Sequence, residues 1–307
     1  MCQFLIKYGM YNLKEYKRHK RIIISLLVLT AIVLIAIIFY SIDTIVRLKN
    51  IEEFNRQTIA ISEKLIQQDA ENAEKIKQEK DNKFSQMKDN IKHIYKSDTK
   101  RAFLTFDDGP SANTESILNI LNNYGIKASF FVLGTRVEAM PNMVKTMYEQ
   151  GHFIGNHGYS HTYSQIYSSP QAVLDEYNRT NQLVANAIGD STYNSHLFRF
   201  PGGLAGGVYA SIKNEAEQLL EQNYILNVDW NALTGDSEKS NPSPEYLMQN
   251  LQKTTCNKNS VVILMHDAAA KKITADMLPQ VIEYLKQQGY EFKTFSDLLG
   301  DTKSLDK

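Results

Sequence analysis

The chain has 307 residues, 43% of them hydrophobic, and its 34 Lys+Arg balance 34 Asp+Glu to a formal net charge of +0. Bulk charge therefore gives no case for a nucleic-acid partner, and only 2 cysteines exclude a disulfide-stapled scaffold. A folded domain in this chain must rest on its own apolar core.

The first predicted element is a membrane span. Residues 22–40, from Ile22 to Tyr40, carry no charge, and a helix of that length crosses a ~30 Å hydrocarbon core. Lys14, Lys17, Arg18, Lys20 and Arg21 precede the run, while Asp43 and Arg47 follow it. The basic excess predicts a cytoplasmic tail over residues 1–21 and an extracytoplasmic remainder, hence a single-pass plasma-membrane protein. A cleaved signal peptide has a shorter apolar core and a small-x-small site; no such site follows Phe39-Tyr40. The run is therefore read as an uncleaved anchor. In that topology Cys2 and Cys256 lie on opposite sides of the bilayer and cannot pair.

Residues 41–99 read as a charged helical stalk. From 48 to 97 the chain is rich in Glu, Lys, Gln, Asn, Ile and Ala, with no Gly or Pro. Fully helical, this stretch would reach ~75 Å at ~1.5 Å per residue, far enough to carry a domain into a cell wall. Phe84, Met87, Ile91 and Ile94 repeat at 3-4-3 spacing. They make a short seam for a partner helix, and so for self-association, or for the domain that follows.

Residues 100–300 alternate between two patterns. Apolar runs near 101–106, 127–133, 152–156, 196–200, 224–230, 261–266 and 290–295 read as seven strands. Helical patterns lie between them: Ile117, Leu118, Ile120, Leu121 and Tyr124 close at Gly125, and Met143, Val144 and Met147 close at Gly151. Met277, Leu278, Val281, Ile282 and Leu285 close at Gly289. Such alternation implies a mostly parallel sheet with right-handed crossovers, as an incomplete barrel or an open doubly wound sheet. Residues 301–307 remain as a tail.

Polar groups stand where the apolar runs stop. Phe103-Leu104-Thr105-Phe106 ends in Asp107-Asp108-Gly109-Pro110, at the strand rim where parallel α/β folds place catalytic groups. Two adjacent carboxylates repel unless a cation neutralises one; the alternative is an Asp-Gly turn with solvated acids. Later, His152-Phe153-Ile154 leads into Gly155-Asn156-His157-Gly158-Tyr159-Ser160-His161. Asp108, His157 and His161 would make the donor set of a catalytic Zn2+ with one position open for water. Co2+ or another divalent ion also suits those donors. A third run carries Arg199 into a Pro201-Gly202 turn, and Val261-Val262-Ile263-Leu264-Met265 ends in His266.

In this order the runs resemble the five motifs of the polysaccharide deacetylase family, the NodB-homology domain or carbohydrate esterase family four. Thr105-Phe106-Asp107-Asp108-Gly109 matches the first motif in full. The resemblance implies that Asp107 is the general base, and that Asp108, His157 and His161 are the metal ligands. Gly158 stands where the family has Ser or Thr, which puts any loop hydrogen bond from that hydroxyl in question. Arg199 is implied as the partner of the base, the Gly202 backbone N–H as the oxyanion donor, and His266 as the general acid. The fourth motif, Asp-x-x-Asp-Trp, is poorly matched. Asp229 of Val228-Asp229-Trp230 is the implied partner of His266, with Asp236 as its rival.

The implied fold is a distorted (β/α)7 barrel behind a transmembrane helix and helical stalk. The implied activity is metal-dependent removal of N-acetyl groups from amino sugars. Anchor and stalk point to a cell-wall glycan. Arg199-Phe200-Pro201-Gly202-Gly203 and Asp229-Trp230-Asn231 resemble wall-acting members, so peptidoglycan N-acetylglucosamine is the expected substrate. The alternatives are another exported polysaccharide, a sugar O-acetyl ester, or a non-catalytic carbohydrate-binding role.

Overall fold

The computed structural model describes residues 2–306, with side chains from Leu13 onward, and divides into two compact units, Met1–Lys75 and Ile76–Lys307. A single helix, α1 (Cys2–Lys92), contributes to both. No Gly or Pro interrupts residues 10–92, so nothing breaks the backbone hydrogen-bond ladder. In the first unit the apolar side chains of the 22–40 run, such as Ile23, Leu27, Leu34 and Ile38, are exposed. By length and composition α1 is able to cross a membrane.

The second unit is a parallel sheet wrapped by helices. Its strands are β1 (Arg101–Asp107), β2 (Ser129–Val132), β3 (Phe153–Asn156), β4 (Leu197–Phe198), β5 (Leu226–Asn227), β6 (Ala232–Leu233), β7 (Ser260–His266) and β8 (Glu291–Lys293). They pair in the order β5-β4-β3-β2-β1-β7-β6, with β8 against the start of β1, and every pairing is parallel. The helices are α2 (Ala112–Tyr124), α3 (Gly134–Ala139), α4 (Pro141–Glu149), α5 (Tyr163–Ile166), α6 (Pro170–Ile188), α7 (Ala210–Gln222), α8 (Pro244–Thr255), α9 (Lys272–Gln287) and α10 (Phe295–Leu299). Their ends follow local chemistry. The Ser111 hydroxyl accepts the Asn113 N–H at the start of α2, and Gly125, at φ 65, ends it in the left-handed conformation.

All seven anticipated strands are present, and the architecture is the expected half-barrel. An eighth strand was not anticipated. Of the 224–230 run only β5 pairs with β4, and beyond the run the chain crosses to pair with β7 as β6. The two sheet edges are thus joined by residues 228–231 of the backbone, with Asn231 side-chain bonds to Val262 N–H at 2.8 Å and Ser260 O at 2.9 Å.

Alternation along the strands sorts two cores. Ala102, Leu104 and Phe106 of β1, with Val261, Ile263 and Met265 of β7, face the helices α2, α4 and α9. Phe103, Phe131, Phe153, Leu197 and Val262 face inward. Met87 and Ile94, both fully buried, pack on these inward residues, flanked by Phe84 and Ile91. The 3-4-3 seam therefore serves the domain itself. Lys83 and Asn90 secure it through Leu299 O at 3.0 Å and Leu298 O at 2.9 Å. Arg101 caps the helix end, donating to Ile94 O and Lys96 O at 3.1 Å.

Candidate metal centre and catalytic rim

Register sets the site. Asp107, the last residue of β1, lies beside His266, the last of β7, and both side chains continue the inward parity of Phe103 and Val262. Past the end of β1, Asp108 takes φ 73, a left-handed conformation that Asp tolerates better than most residues. Its Oδ1 lies 3.5 Å from His157 Nε2 and 3.4 Å from His161 Nε2. The three candidate ligand atoms all fall within 4.8 Å of one another.

The donor set fits a divalent cation. Asp108 Oδ1 is buried with no hydrogen-bond partner, a state that costs free energy unless a cation faces it. His157 Nδ1 is tied to Arg199 O at 2.7 Å, which leaves the Nε2 lone pair aimed at the cluster, as metal-ligating imidazoles require. Burial lowers the His157 pKa to about 3, against the opposing charge of Asp108, so this imidazole is neutral and able to coordinate.

The loop carrying both histidines is held without a hydroxyl at position 158. Gly158 has φ 81, and a Cβ there would fall 2.7 Å from Ile166 Cδ1 and 3.0 Å from Glu176 Oε2. Glu176 of α6 accepts Tyr159 N–H at 2.8 Å, Ser160 N–H at 3.0 Å and Ser160 Oγ–H at 2.6 Å. Asn156 Oδ1 accepts Gly158 N–H at 2.9 Å. These acceptors take over the stabilisation that the missing hydroxyl put in question.

Arg199 is the hub of the inner face. It is fully buried, and Nη1 donates to Asp107 Oδ1 and Thr105 Oγ1, both at 2.8 Å. Nε donates to Val228 O at 3.1 Å and Nη2 to Asp229 O at 3.3 Å, with Phe131 4.0 Å beneath the guanidinium. A buried guanidinium is tolerable when its donors are satisfied this fully. Burial raises the Asp107 pKa above the ordinary carboxylate range, while Arg199 pulls it back down.

His266 has a different partner. Its Nδ1 donates to Asp236 Oδ1 at 2.8 Å, and Asp236 Oδ2 accepts His266 N–H at 2.8 Å and Thr274 Oγ–H at 2.7 Å. Burial opposes the imidazolium, but Asp236, Asp107 and Asp108 outweigh it and push the His266 pKa up to about 9. Asp267 lies behind the same rim. Its buried carboxyl accepts Thr114 Oγ–H at 2.6 Å, and burial raises its pKa to about 7. Gly109 makes room for it, since a Cβ there would fall 2.0 Å from Asp267 Oδ2.

Comparison with known proteins identifies the family. The polysaccharide deacetylase family model matches residues 94–220. The chain is 32% identical over 206 residues to a peptidoglycan-N-acetylglucosamine deacetylase of Bacillus cereus, covering 64% of this chain and 70% of that one. The chain belongs to the polysaccharide deacetylase family. Among solved structures, the catalytic domain of a peptidoglycan N-acetylglucosamine deacetylase from Eubacterium rectale superposes with TM-score 0.59 at 32% identity, over 64% of this chain and 88% of that one. A Streptococcus mutans CE4 esterase gives TM-score 0.61 at 30% identity, over 67% and 90%.

The deacetylase fold gathers Asp107, Asp108, His157, His161, Arg199 and His266 at one rim. It does not bring Asp229 to His266. Asp229 instead accepts Leu204 N–H at 3.1 Å, and the rival Asp236 holds the imidazole. The reason is the crossing at residues 228–231, which leaves Asp229 on the Arg199 side and carries Asp236 past β6 to the His266 side. Gly202 occupies the turn after β4 at φ 76, against Tyr163, whose ring lies 5.7 Å from that of His161. Glu176, Asp267 and Lys213 were missed. Only Asp267 carried a local signal, as the residue directly after His266.

Proposed function

We propose that this deacetylase removes N-acetyl groups from amino sugars of a cell-wall polymer, with peptidoglycan N-acetylglucosamine as substrate. The observation that carries the reading is the register that sets Asp107 beside His266 at the rim that also holds the Asp108–His157–His161 cluster. The named relatives from Bacillus cereus and Eubacterium rectale support the substrate class.

Asp108, His157 and His161 would hold a divalent metal, Zn2+ first and Co2+ or another divalent ion second. When bound, it would polarise the acetyl carbonyl and acidify a water. Asp107, with Arg199 fixing its Oδ1, would accept a proton from the attacking water through Oδ2. The oxyanion would be met by the Gly202 N–H, a donor of a kind worth ~3–4 kcal/mol in comparable sites. His266, its Nδ1 held by Asp236, has Nε2 left to protonate the departing amine. With its pKa near 9 it carries that proton at neutral pH.

In this reading residues 1–21 are a cytoplasmic tail, residues 22–40 a membrane anchor, and residues 41–99 a helical stalk outside the cell whose last turns, around Met87 and Ile94, pack on the domain. The uncharged run and the basic cluster before it support that orientation. The deciding experiment is acetate release from purified cell wall, compared with chitooligosaccharides. Release from neither, by a metal-loaded chain, would remove the reading. A second reading, hydrolysis of sugar O-acetyl esters, is favoured by the similarity to the Streptococcus mutans esterase. Faster acetate release from O-acetylated than from N-acetylated glycan would establish it.

A further inference from the structure

Residues 200–204 form a tightly specified turn. Gly203 N–H donates to Phe200 O at 2.7 Å, with Pro201 second and Gly202 third at φ 76, the signature of a type II turn. The planar peptide between Pro201 and Gly202 has its C=O and N–H pointing in opposite directions. A group that fixes the carbonyl therefore also aims the N–H.

Tyr167 is that group. Its Oη donates to Pro201 O at 2.7 Å, and the side chain is 1% exposed, wedged among Phe200, Tyr163 and Tyr209. At this depth it cannot touch a substrate. Gly202 itself is exposed, and among the described residues its N–H has no acceptor. Hydrogen bonding at the carbonyl also polarises the amide and strengthens its N–H as a donor.

Two further groups lock the downstream half of the turn. Lys213 of α7, 4% exposed, donates from Nζ to Gly203 O at 2.6 Å, and Asp229 accepts Leu204 N–H at 3.1 Å. A lysine so deeply buried is costly unless it is hydrogen-bonded, and here that bond is made to this turn.

We propose that Tyr167, backed by Lys213 and Asp229, is a positioning residue that aims the Gly202 N–H at the developing oxyanion. This rests on Gly202 being the oxyanion donor in the reaction proposed above. The test is Tyr167→Phe in the full chain in detergent, which removes the hydroxyl and keeps the ring. The expected result is a kcat lower by about tenfold, since small misplacements of a catalytic donor are felt strongly. KM and metal content should stay at the wild-type values. Lys213→Met should lower kcat in the same sense. Wild-type kcat in Tyr167→Phe, a rise in KM alone, or a loss no greater than the unfolded fraction would overturn the assignment. If Asp107→Asn is inactive while Tyr167→Phe is normal, only this inference falls. If the metal-loaded wild type releases no acetate, the parent reading falls and takes this one with it.

Discussion

The floor and the rim of the half-barrel are built from the same strands at the same parity, yet they do opposite things. On β1 the inward positions run from Phe103 to Asp107, on β7 from Val262 to His266, and after β3 and β4 they reach His157 and Arg199. At the floor these positions meet Met87 and Ile94 and exclude water. At the rim they meet one another as charges and hydrogen bonds. Alternation thus decides which side chains point inward, and distance along the strand decides whether they pack on apolar neighbours or pair as charges.

The comparison is tested most severely at the rim. Asp107→Asn should cut acetate release by ~10³-fold or more, the upper range for a lost general base, with metal content unchanged. His157→Ala should lose both activity and metal, and chelation of the wild type should abolish release until Zn2+ or Co2+ is added back. Metal analysis of the purified variants separates the cases; metal lost from both would make Asp107 a ligand.

A floor substitution should do the reverse. Met87→Asp places a charge in a fully buried apolar position and should destabilise the domain by more than ~3 kcal/mol. Activity per folded molecule should be retained, as measured by urea unfolding alongside turnover. A folded Met87→Asp chain with altered kcat would mean that the floor takes part in the chemistry.

Asp236→Asn sharpens the comparison within the rim. The raised His266 pKa, about 9, means that the acid form persists until pH rises through that value. Without the Asp236 charge it should fall back toward ~6.5, moving the alkaline limb of kcat down by up to ~2 pH units. The stability supplied by this pair carries the matching sign. It is fully present below the unfolded value of ~6.5 and lost as pH rises through about 9. An unmoved limb would assign the acid to another group. The smallest effect belongs to Ile94→Val, ~0.5–1.5 kcal/mol by chemical denaturation with no change in kcat.

Much of the rim was legible because each of its groups ends an apolar run: Asp107 and Asp108 after Phe106, His266 after Met265, Arg199 after Phe198. Strand ends at a common level are neighbours in a parallel sheet, so chain order and run length sufficed. The partner of His266 was not legible in that way. Asp229 and Asp236 flank a sheet edge, and an apolar run gives no sign of where one edge stops and the other begins. Glu176 and Lys213 lie on helix faces and act on backbone groups of separate loops, a relation that helical periodicity does not encode. The 84–94 seam was visible as a seam, but its spacing suits a partner helix and a barrel floor equally well.

The packed floor also makes the half-barrel a blind cup. With Met87, Ile94, Phe295 and Leu305 filling the end opposite Asp107 and His266, that end is closed by apolar packing. A polymer of the kind proposed would be met broadside at the rim and released the way it arrived, so free chain ends would confer no advantage. The unit chosen along a strand would then be the one whose neighbours lie flat across the opening.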